Sequence, residues 1–329
     1  MVILTIYLTE RDVEALLTMP EAISALERAF RSQAQAEAIN QPRRRLYMPG
    51  GAYHIMAAAD LSLHTFGIKT YASFRPKTRF LFLLYSSDNG DLLAIIEADR
   101  LGQIRTGAAS GVATRFMAKQ GAGLKVGIYG SGWQAQSQLE AICAVRDVKA
   151  VTVYSRDAAK REAFCAVMSQ RLHISVKPAA NSEAAAEGQD IVITATSATE
   201  PVLRGDRLSP GAHVNAVGSN MLMKREIDET VIQRSHLLVV DSIEQSKLEA
   251  GDLLPAFERR LFRWEQVREL HEIVSGQCHG RTDDSQITLF KSNGIALEDV
   301  AVATLVYVKA LDQKFGTEIP VWQAAAPAP

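Results

Sequence analysis

Cysteine is scarce in this chain: only Cys143, Cys165 and Cys278 occur among 329 residues. An odd number with no metal-type spacing gives neither a disulfide framework nor a cysteine-bound metal. Cys143 and Cys165 fall within helical apolar patterns and read as core residues, and a chain without disulfides suits a reducing compartment. An excess of one charge is also missing. The 36 Lys and Arg against 37 Asp and Glu leave a formal net charge of −1, and the mixed signs exclude a basic stripe that would track nucleic acid. Long apolar runs are lacking too. Val2–Leu8 is too short for a signal-peptide core with its flanks, and no stretch reaches the ~20 residues that cross a bilayer. His64, His173, His213, His236, His271 and His279 have no metal spacing. The expectation is a cytoplasmic globular protein without nucleic-acid, membrane or metal partners. With 47% of residues apolar, the chain can fill two domains or one large core with an added layer.

Two kinds of pattern divide the chain. Val2–Leu8 reads as a strand. Thr9 then caps a helix with Asp12 as capping-box partner, and Pro20 opens a second helix carrying Ile23, Leu26 and Phe30 on one face. Strands are expected at Arg44–Met48, Tyr53–Ala58, Thr65–Ser73, Phe80–Ser86 and Leu92–Ile96, with Asn89-Gly90 as a hairpin signal. This half is α+β and mostly antiparallel. A helix at Ile104–Gln120 closes on Gly121-Ala122-Gly123. Strands then alternate with helices: Lys125–Tyr129, Ala150–Tyr154, Ile174–Pro178, Asp190–Thr194, His213–Val217 and Leu237–Val240. That alternation predicts a parallel, doubly wound sheet. A last helix spans Leu297–Phe315, and the Ala/Pro tail Ala324–Pro329 reads as disordered.

The strand at Lys125–Tyr129 runs into Gly130-Ser131-Gly132-Trp133-Gln134-Ala135, a Gly-x-Gly-x-x-Ala turn. Gly130 allows the tight turn, Gly132 lets backbone approach a pyrophosphate, and Ala135 permits close helix–strand packing. The helix opening near Trp133 would point its free N–H groups at that anion. A turn that merely happens to be glycine-rich needs no second strand, whereas Ala150–Tyr154 follows one helix later, at βαβ spacing. The second strand ends in Ser155-Arg156 rather than in the acid that binds an NAD ribose. Arg156 suits a 2′-phosphate, with Ser155 as a second donor and Lys160 and Arg161 one turn on. Asp157 is the competing ribose ligand. NADP(H) is therefore expected over NAD(H).

Five cationic positions and one histidine are candidates for chemistry. Arg105-Thr106 is placed at a helix start, where a positive residue opposes the macrodipole and a bound anion would explain it. Gly107–Gly111 is small enough for a helix or a ligand to approach. Lys69 alternates with Gly67 and Tyr71, so it is either buried and functional or an outward strand residue. Of Arg43, Arg44 and Arg45, alternation puts Arg44 on one face and its neighbours on the other. His54 could act as a general acid, because an imidazole titrates near neutrality.

Gln41-Pro42-x-Arg44, Gly67-Ile68-Lys69, Ile104-Arg105-Thr106-Gly107-Ala108-Ala109-Ser110, Gly130-Ser131-Gly132 and Leu289-Phe290-x-Ser292-x-Gly294 occur in order. With them the chain resembles the ornithine cyclodeaminase/mu-crystallin family over nearly its whole length. The resemblance implies a discontinuous substrate and dimerisation domain (1–115 and 297–329), an inserted Rossmann domain (116–296) and a homodimer. It implies that Arg44, Lys69 and Arg105 bind a substrate carboxylate, with Met56 on the substrate side and Thr106 at the cofactor phosphate. The segment 190–196, including Thr194, Ala195 and Thr196, would line the nicotinamide side with Val217-Gly218-Ser219 and with Ser292 and Gly294. Asn220 stands where the cyclodeaminases carry a catalytic Asp, and His54 where they carry a Glu. An amide cannot act as the base for deaminating water attack. The expected activity is therefore NADPH-dependent reduction of an α-imino acid, a cyclic ketimine of the pyrroline- or piperideine-2-carboxylate type, with Lys69 or His54 giving the proton. The alternatives are an amino-acid dehydrogenase, an iminosuccinate-type reductase for which Arg43, Arg45, Arg75 and Arg79 would offer a second carboxylate site, a cyclodeaminase, and a non-catalytic NADPH- and ligand-binding protein.

Overall fold

The computed structural model describes residues 5–74 and 77–321. The first residues of the Val2–Leu8 strand, Arg75 and the Ala324–Pro329 tail lie outside the described residues. Strand β1 (Thr5–Leu8) ends at Thr9, which caps α1 (Glu10–Leu16) in a capping box with Asp12. Helix α2 (Met19–Ala34) has Pro20 in its first turn and buries Ile23, Leu26 and Phe30. An antiparallel meander follows: β2 (Ala38–Met48), β3 (Gly51–Asp60), β4 (Thr65–Phe74), β5 (Lys77–Ser86) and β6 (Leu92–Glu97). Asn89-Gly90 lies in the last turn, where Gly90 takes φ +80°. Strand β2 begins well before the expected Arg44.

Helix α3 (Asp99–Met117) leads into the alternating half. There β7 (Leu124–Tyr129), α4 (Trp133–Val145), β8 (Val148–Tyr154), α5 (Ala158–Leu172), β9 (Ser175–Pro178), β10 (Ile191–Thr194) and β11 (His213–Ala216) follow in turn. Next come α6 (Glu229–Arg234), β12 (Leu237–Val240), α7 (Ile243–Glu249), α8 (Leu254–Glu258), β13 (Arg268–Glu269), α9 (Leu270–Val274) and β14 (Thr288–Lys291). The described chain ends with α10 (Ala296–Gln313) and β15 (Thr317–Ile319).

Two sheets result. The first has the order β15-β1-β6-β5-β4-β3-β2, so both ends of the described chain build it. The second is parallel throughout, in the order β13-β12-β14-β11-β10-β7-β8-β9. The order in which strands are added reverses between β7 and β10, and that switch point opens a crevice at the strand ends. The fold is thus α/β with a Rossmann-type sheet beside a discontinuous α+β unit. Leu270, Ile273 and Val274 of α9 join the core of the first unit rather than the second, so the layers interpenetrate more than a boundary at residue 296 suggests. The small residues of α3 serve helix packing. A side chain on Gly107 would strike the Ser137 carbonyl of α4, and one on Gly111 would press on Ile23 and Ala141.

Candidate functional site

Gly130 takes φ +113°, and a Cβ there would collide with the Ala195 carbonyl across the switch point. Nothing lies within 4 Å of where a Cβ on Gly132 would sit, so the loop backbone faces open space. Ala135 is fully buried in the core under the sheet. A groove of about 450 Å³ runs from Gly130–Gln134 to Ser155, Arg156 and Asp157, with Ala195 and Thr196 as its far wall. Such a cradle at a helix N-terminus fits a dinucleotide pyrophosphate. At its outer end Ser131 and Ser155 share a hydroxyl–hydroxyl bond of 2.9 Å. Asp157 caps α5 by accepting from the Lys160 N–H at 3.1 Å through one carboxylate oxygen. Arg161 donates to the Ser155 carbonyl at 2.8 Å. No carboxylate among the described residues pairs with the exposed Arg156.

The groove continues past Trp133, Gln134, Ala195 and Thr196 into a cavity of about 710 Å³ between the two sheets. Val217, Gly218, Asn220, Ser292 and Gly294 close it on the parallel-sheet side, and His54, Met56, Lys69, Tyr71 and Phe80 on the other. Thr194 lies behind this wall, its hydroxyl bonded to Glu226 at 2.9 Å. Thr106 reaches the cavity, but its hydroxyl donates back to the Gly102 carbonyl at 2.7 Å.

Arg44 does not enter the cavity. Strand β2 pairs Gln41 with Ala57 and then Arg44 with Ile55, so Pro42 and Arg43 together oppose Met56 in a β-bulge. Pro42 cannot donate to the ladder and suits such a break. Without the extra residue Arg44 would face inward opposite His54. With it, Arg44 is exposed while Arg43 and Arg45 point in. Arg43 and Arg45 grip the two oxygens of one buried carboxylate, Glu249, at 2.7 and 2.6 Å. Arg43 also donates to the Asn293 and Gly294 carbonyls, and Arg45 to that of Asn220.

Arg105 is also placed differently from expectation. Helix α3 starts at Asp99, so Arg105 lies inside the helix, away from the macrodipole's positive end. Neighbouring carboxylates explain its burial instead. It pairs with Glu298 at 2.6 Å and with Asp299 at 3.1 Å. Lys69, only 2% exposed, pairs with the same Asp299 oxygen at 2.8 Å. Glycines make room for both cations: side chains on Gly102 and Gly294 would run into Lys69 Nζ and the Arg105 guanidinium. Burial opposes the Arg105 charge, but Asp299 and Glu298 outweigh it and keep the guanidinium charged. Burial lowers the Lys69 ammonium to about 8, with Asp299 holding it up and Arg105 adding repulsion. Glu298 is pushed up by burial against the pull of Arg105. Lys69 and Arg105 are thus matched by Asp299 and Glu298, Arg43 and Arg45 share Glu249, and buried Asp241 adds to the negative field at Arg105.

His54 is stacked on Tyr71, with ring centroids 4.1 Å apart. Its Nε2 lies 2.8 Å from the Ser73 hydroxyl, which itself donates to the Ala52 carbonyl at 3.2 Å. Nε2 therefore carries the proton and donates to Ser73, while Nδ1 has no partner. Burial, then Arg45 and Arg43, lower this imidazole to about 4. An imidazole held neutral at physiological pH does not suit the general-acid expectation for His54.

Sequence reasoning missed Glu249, Glu298 and Asp299. A signal existed for the last two: Glu298-Asp299 interrupts the otherwise apolar run from Ile295 to Ala303, and adjacent acids on a core helix need partners. Arg79 pairs with Asp99 at the rim. The described residues contain no group of three or more His, Cys, Asp or Glu arranged for a metal ion, and no helix long and apolar enough to cross a membrane.

Comparison with known proteins gives consistent matches. The model of the ornithine cyclodeaminase/mu-crystallin family matches residues 4–314. An alanine dehydrogenase of Archaeoglobus fulgidus is 33% identical over 324 residues, covering 96% of this chain and 98% of the relative. A delta(1)-pyrroline-2-carboxylate reductase of Bacillus cereus is 38% identical over 240 residues, covering 73% of each chain. Among solved structures, that of the Thermococcus litoralis delta(1)-pyrroline-2-carboxylate reductase, in complex with NADH and L-proline, superimposes with a TM-score of 0.92. It is 34% identical and covers 96% of this chain and 100% of its own.

Proposed function

The chain belongs to the ornithine cyclodeaminase/mu-crystallin family, and from that premise we propose that it reduces α-imino acids with a pyridine nucleotide. The observation that carries this reading is the groove from the glycine loop into a cavity that Lys69 and Arg105 line. We assign the cyclic ketimines of the pyrroline- and piperideine-2-carboxylate type as substrates. The T. litoralis relative, bound to NADH and L-proline, supports this class. Of the extra cations that would serve a dicarboxylic imine, Arg43 and Arg45 are held by Glu249 and Arg79 pairs with Asp99, while Arg75 lies outside the described residues.

Gly130–Ala135 would hold the cofactor pyrophosphate, and a bound reduced nicotinamide would supply the hydride to the imine carbon. The protein's own residues do the rest. Arg105, fixed on two sides by Glu298 and Asp299, orients the carboxylate. Lys69 gives a proton to the imine nitrogen, for which an ammonium near 8 is well matched. Met56, Tyr71 and Phe80 exclude water around the ring. Asn220 supplies no base, which disfavours cyclodeamination. The finer cofactor choice is NADPH: Asp157 turns one oxygen to its helix cap, while Arg156 stands without a carboxylate partner at the groove's end. We further propose a homodimer and the domain limits 1–115 with 297–329, and 116–296.

Steady-state oxidation of NADPH and NADH with pyrroline-2-carboxylate, piperideine-2-carboxylate, iminosuccinate and pyruvate plus ammonia tests the reading. Turnover of the cyclic ketimines is the expected result. Tight NADPH binding without turnover of any imine, or ammonia release from ornithine, would overturn it. A second reading, amino-acid dehydrogenation, is favoured by the near full-length match to an alanine dehydrogenase. Faster pyruvate amination than ketimine reduction would select it.

A further inference from the structure

Behind the parallel-sheet wall of the cavity lies a set of buried charges that the proposed reaction does not use. Glu226, Asp252 and Lys291 are all buried. Lys291 Nζ pairs with Asp252 at 3.0 Å and donates to the Ser219 and Ser292 carbonyls at 2.5 and 3.2 Å. One Asp252 oxygen accepts from the Glu226 and Ile227 amides at 2.6 and 3.2 Å. The Glu226 carboxylate then accepts four hydrogen bonds. One oxygen takes the Thr196 N–H at 2.6 Å and the Thr196 hydroxyl at 2.7 Å. The other takes the Thr194 hydroxyl at 2.9 Å and the Gly218 N–H at 2.6 Å.

One side chain thus ties together the loops that follow β10 and β11, whose residues Thr196 and Gly218 face the cavity. The tie is tight: a side chain on Gly218 would collide with the Glu226 carboxylate and the Thr196 amide. Four convergent donors fill the acceptor sites of an ionised carboxylate, and with Lys291 they counter the burial and the Asp252 charge that push Glu226 up. Burying such a charge is unfavourable unless every site is satisfied. Two of the donors are backbone N–H groups, which cannot turn away.

We propose that Glu226 is a positioning residue for the nicotinamide ring. It sets the spacing of the Thr196 and Gly218 loops, and hence the approach of the ring to an imine held by Lys69 and Arg105, while touching neither. The inference rests on the hydride-transfer reading above. It predicts a division of labour along the cofactor: the glycine loop and Arg156 hold the phosphates, and Glu226 governs only the reacting end.

Glu226→Gln is the test. Whichever way the amide turns, its NH2 faces either the Thr196 or the Gly218 N–H, so one tie is lost with little change in volume. Wild type and variant are compared for NADPH affinity, for turnover per NADPH-binding site with pyrroline-2-carboxylate, for the primary isotope effect with C4-deuterated NADPH, and for the emission lifetime of bound NADPH. The expected result is an NADPH Kd within about threefold of wild type and a turnover on the order of 10–100-fold lower, as for a misplaced reacting centre. The isotope effect should rise and the emission lifetime should shorten. Unchanged turnover per binding site with an unchanged isotope effect would overturn the proposal and leave Glu226 a mere brace. If the Gln variant does not fold, Thr194→Val removes one donor to the same carboxylate and should lower turnover about threefold in the same manner; no change there is equally fatal. Should wild type reduce no imine, the functional reading fails on its own. The lifetime comparison still decides this inference, a shortened lifetime supporting it and an equal one overturning it.

Discussion

The two ends of the crevice are built by opposite means. The cofactor end comes from neighbours in sequence: the Gly130–Ala135 turn, the Ser155-Arg156 strand end and an open groove with few ion pairs. The substrate end is assembled from residues scattered between Arg43 and Asp299, tied by buried ion pairs that span much of the chain. The first surface is shaped by backbone and keeps its charge for the ligand. The second is shaped by side-chain charge, most of which is already matched within the protein. Damage to the substrate end should therefore reach both stability and chemistry, whereas damage to the cofactor end should change selectivity and little else.

The largest expected effect would sharpen that contrast. Lys69→Met removes the proton donor and should lower turnover on the order of 10²–10⁴-fold, with NADPH affinity measured by emission titration nearly unchanged. Equal loss of both would mean that the two ends are not separable. Arg105→Leu should act on the fold as well, because it leaves Glu298 and Asp299 buried beside a lost partner. Breaking a buried pair this way costs about 3–5 kcal/mol, and a thermal melt would register it as a Tm lower by on the order of 10 °C. An unchanged melt would show that the ion pairs do not support the substrate end.

Arg156→Ala tests the other side. KM for NADPH should rise about tenfold, one lost charge-assisted contact, while KM for NADH and the Tm stay put. Equal effects on both cofactors would remove the NADPH preference. The smallest effect concerns pH. With Lys69 near 8, its charged, proton-giving form predominates below that pH, so the reduction rate should be high in neutral solution and fall as pH rises through about 8. His54, lowered to about 4, should add no inflection near its ordinary value. A rate that instead falls on raising the pH from 6 to 7 would return the acid role to His54.

Where a signal is local, the sequence was a good guide. The Thr9–Asp12 capping box, the Asn89-Gly90 turn and the glycine loop each depend on a few adjacent residues, and each formed. The start of α3 is not legible because the segment Asp99–Gln103 carries no strong N-cap: Ala98 precedes it, and the Asp99 side chain is turned to Phe80 and Arg79. The partners of Arg105 and Lys69 lie on α10, and nothing near Arg105 in sequence announces them. Gly107–Gly111 was ambiguous for a related reason: small residues signal close approach, and only the three-dimensional packing identifies α4 and α2 as what approaches.

The Pro42–Arg43 bulge has a bearing on comparison between relatives. Ahead of it Asn40 faces inward and accepts from the Leu297 amide at the start of α10; beyond it the inward positions pass to Arg43 and Arg45. One inserted residue therefore lets a single strand both dock a helix and present two guanidiniums where strict alternation would present one. Two chains aligned column by column through this segment would, if only one carries the insertion, match side chains on opposite faces of the sheet. An arginine shared in such a column says nothing by itself about a shared substrate.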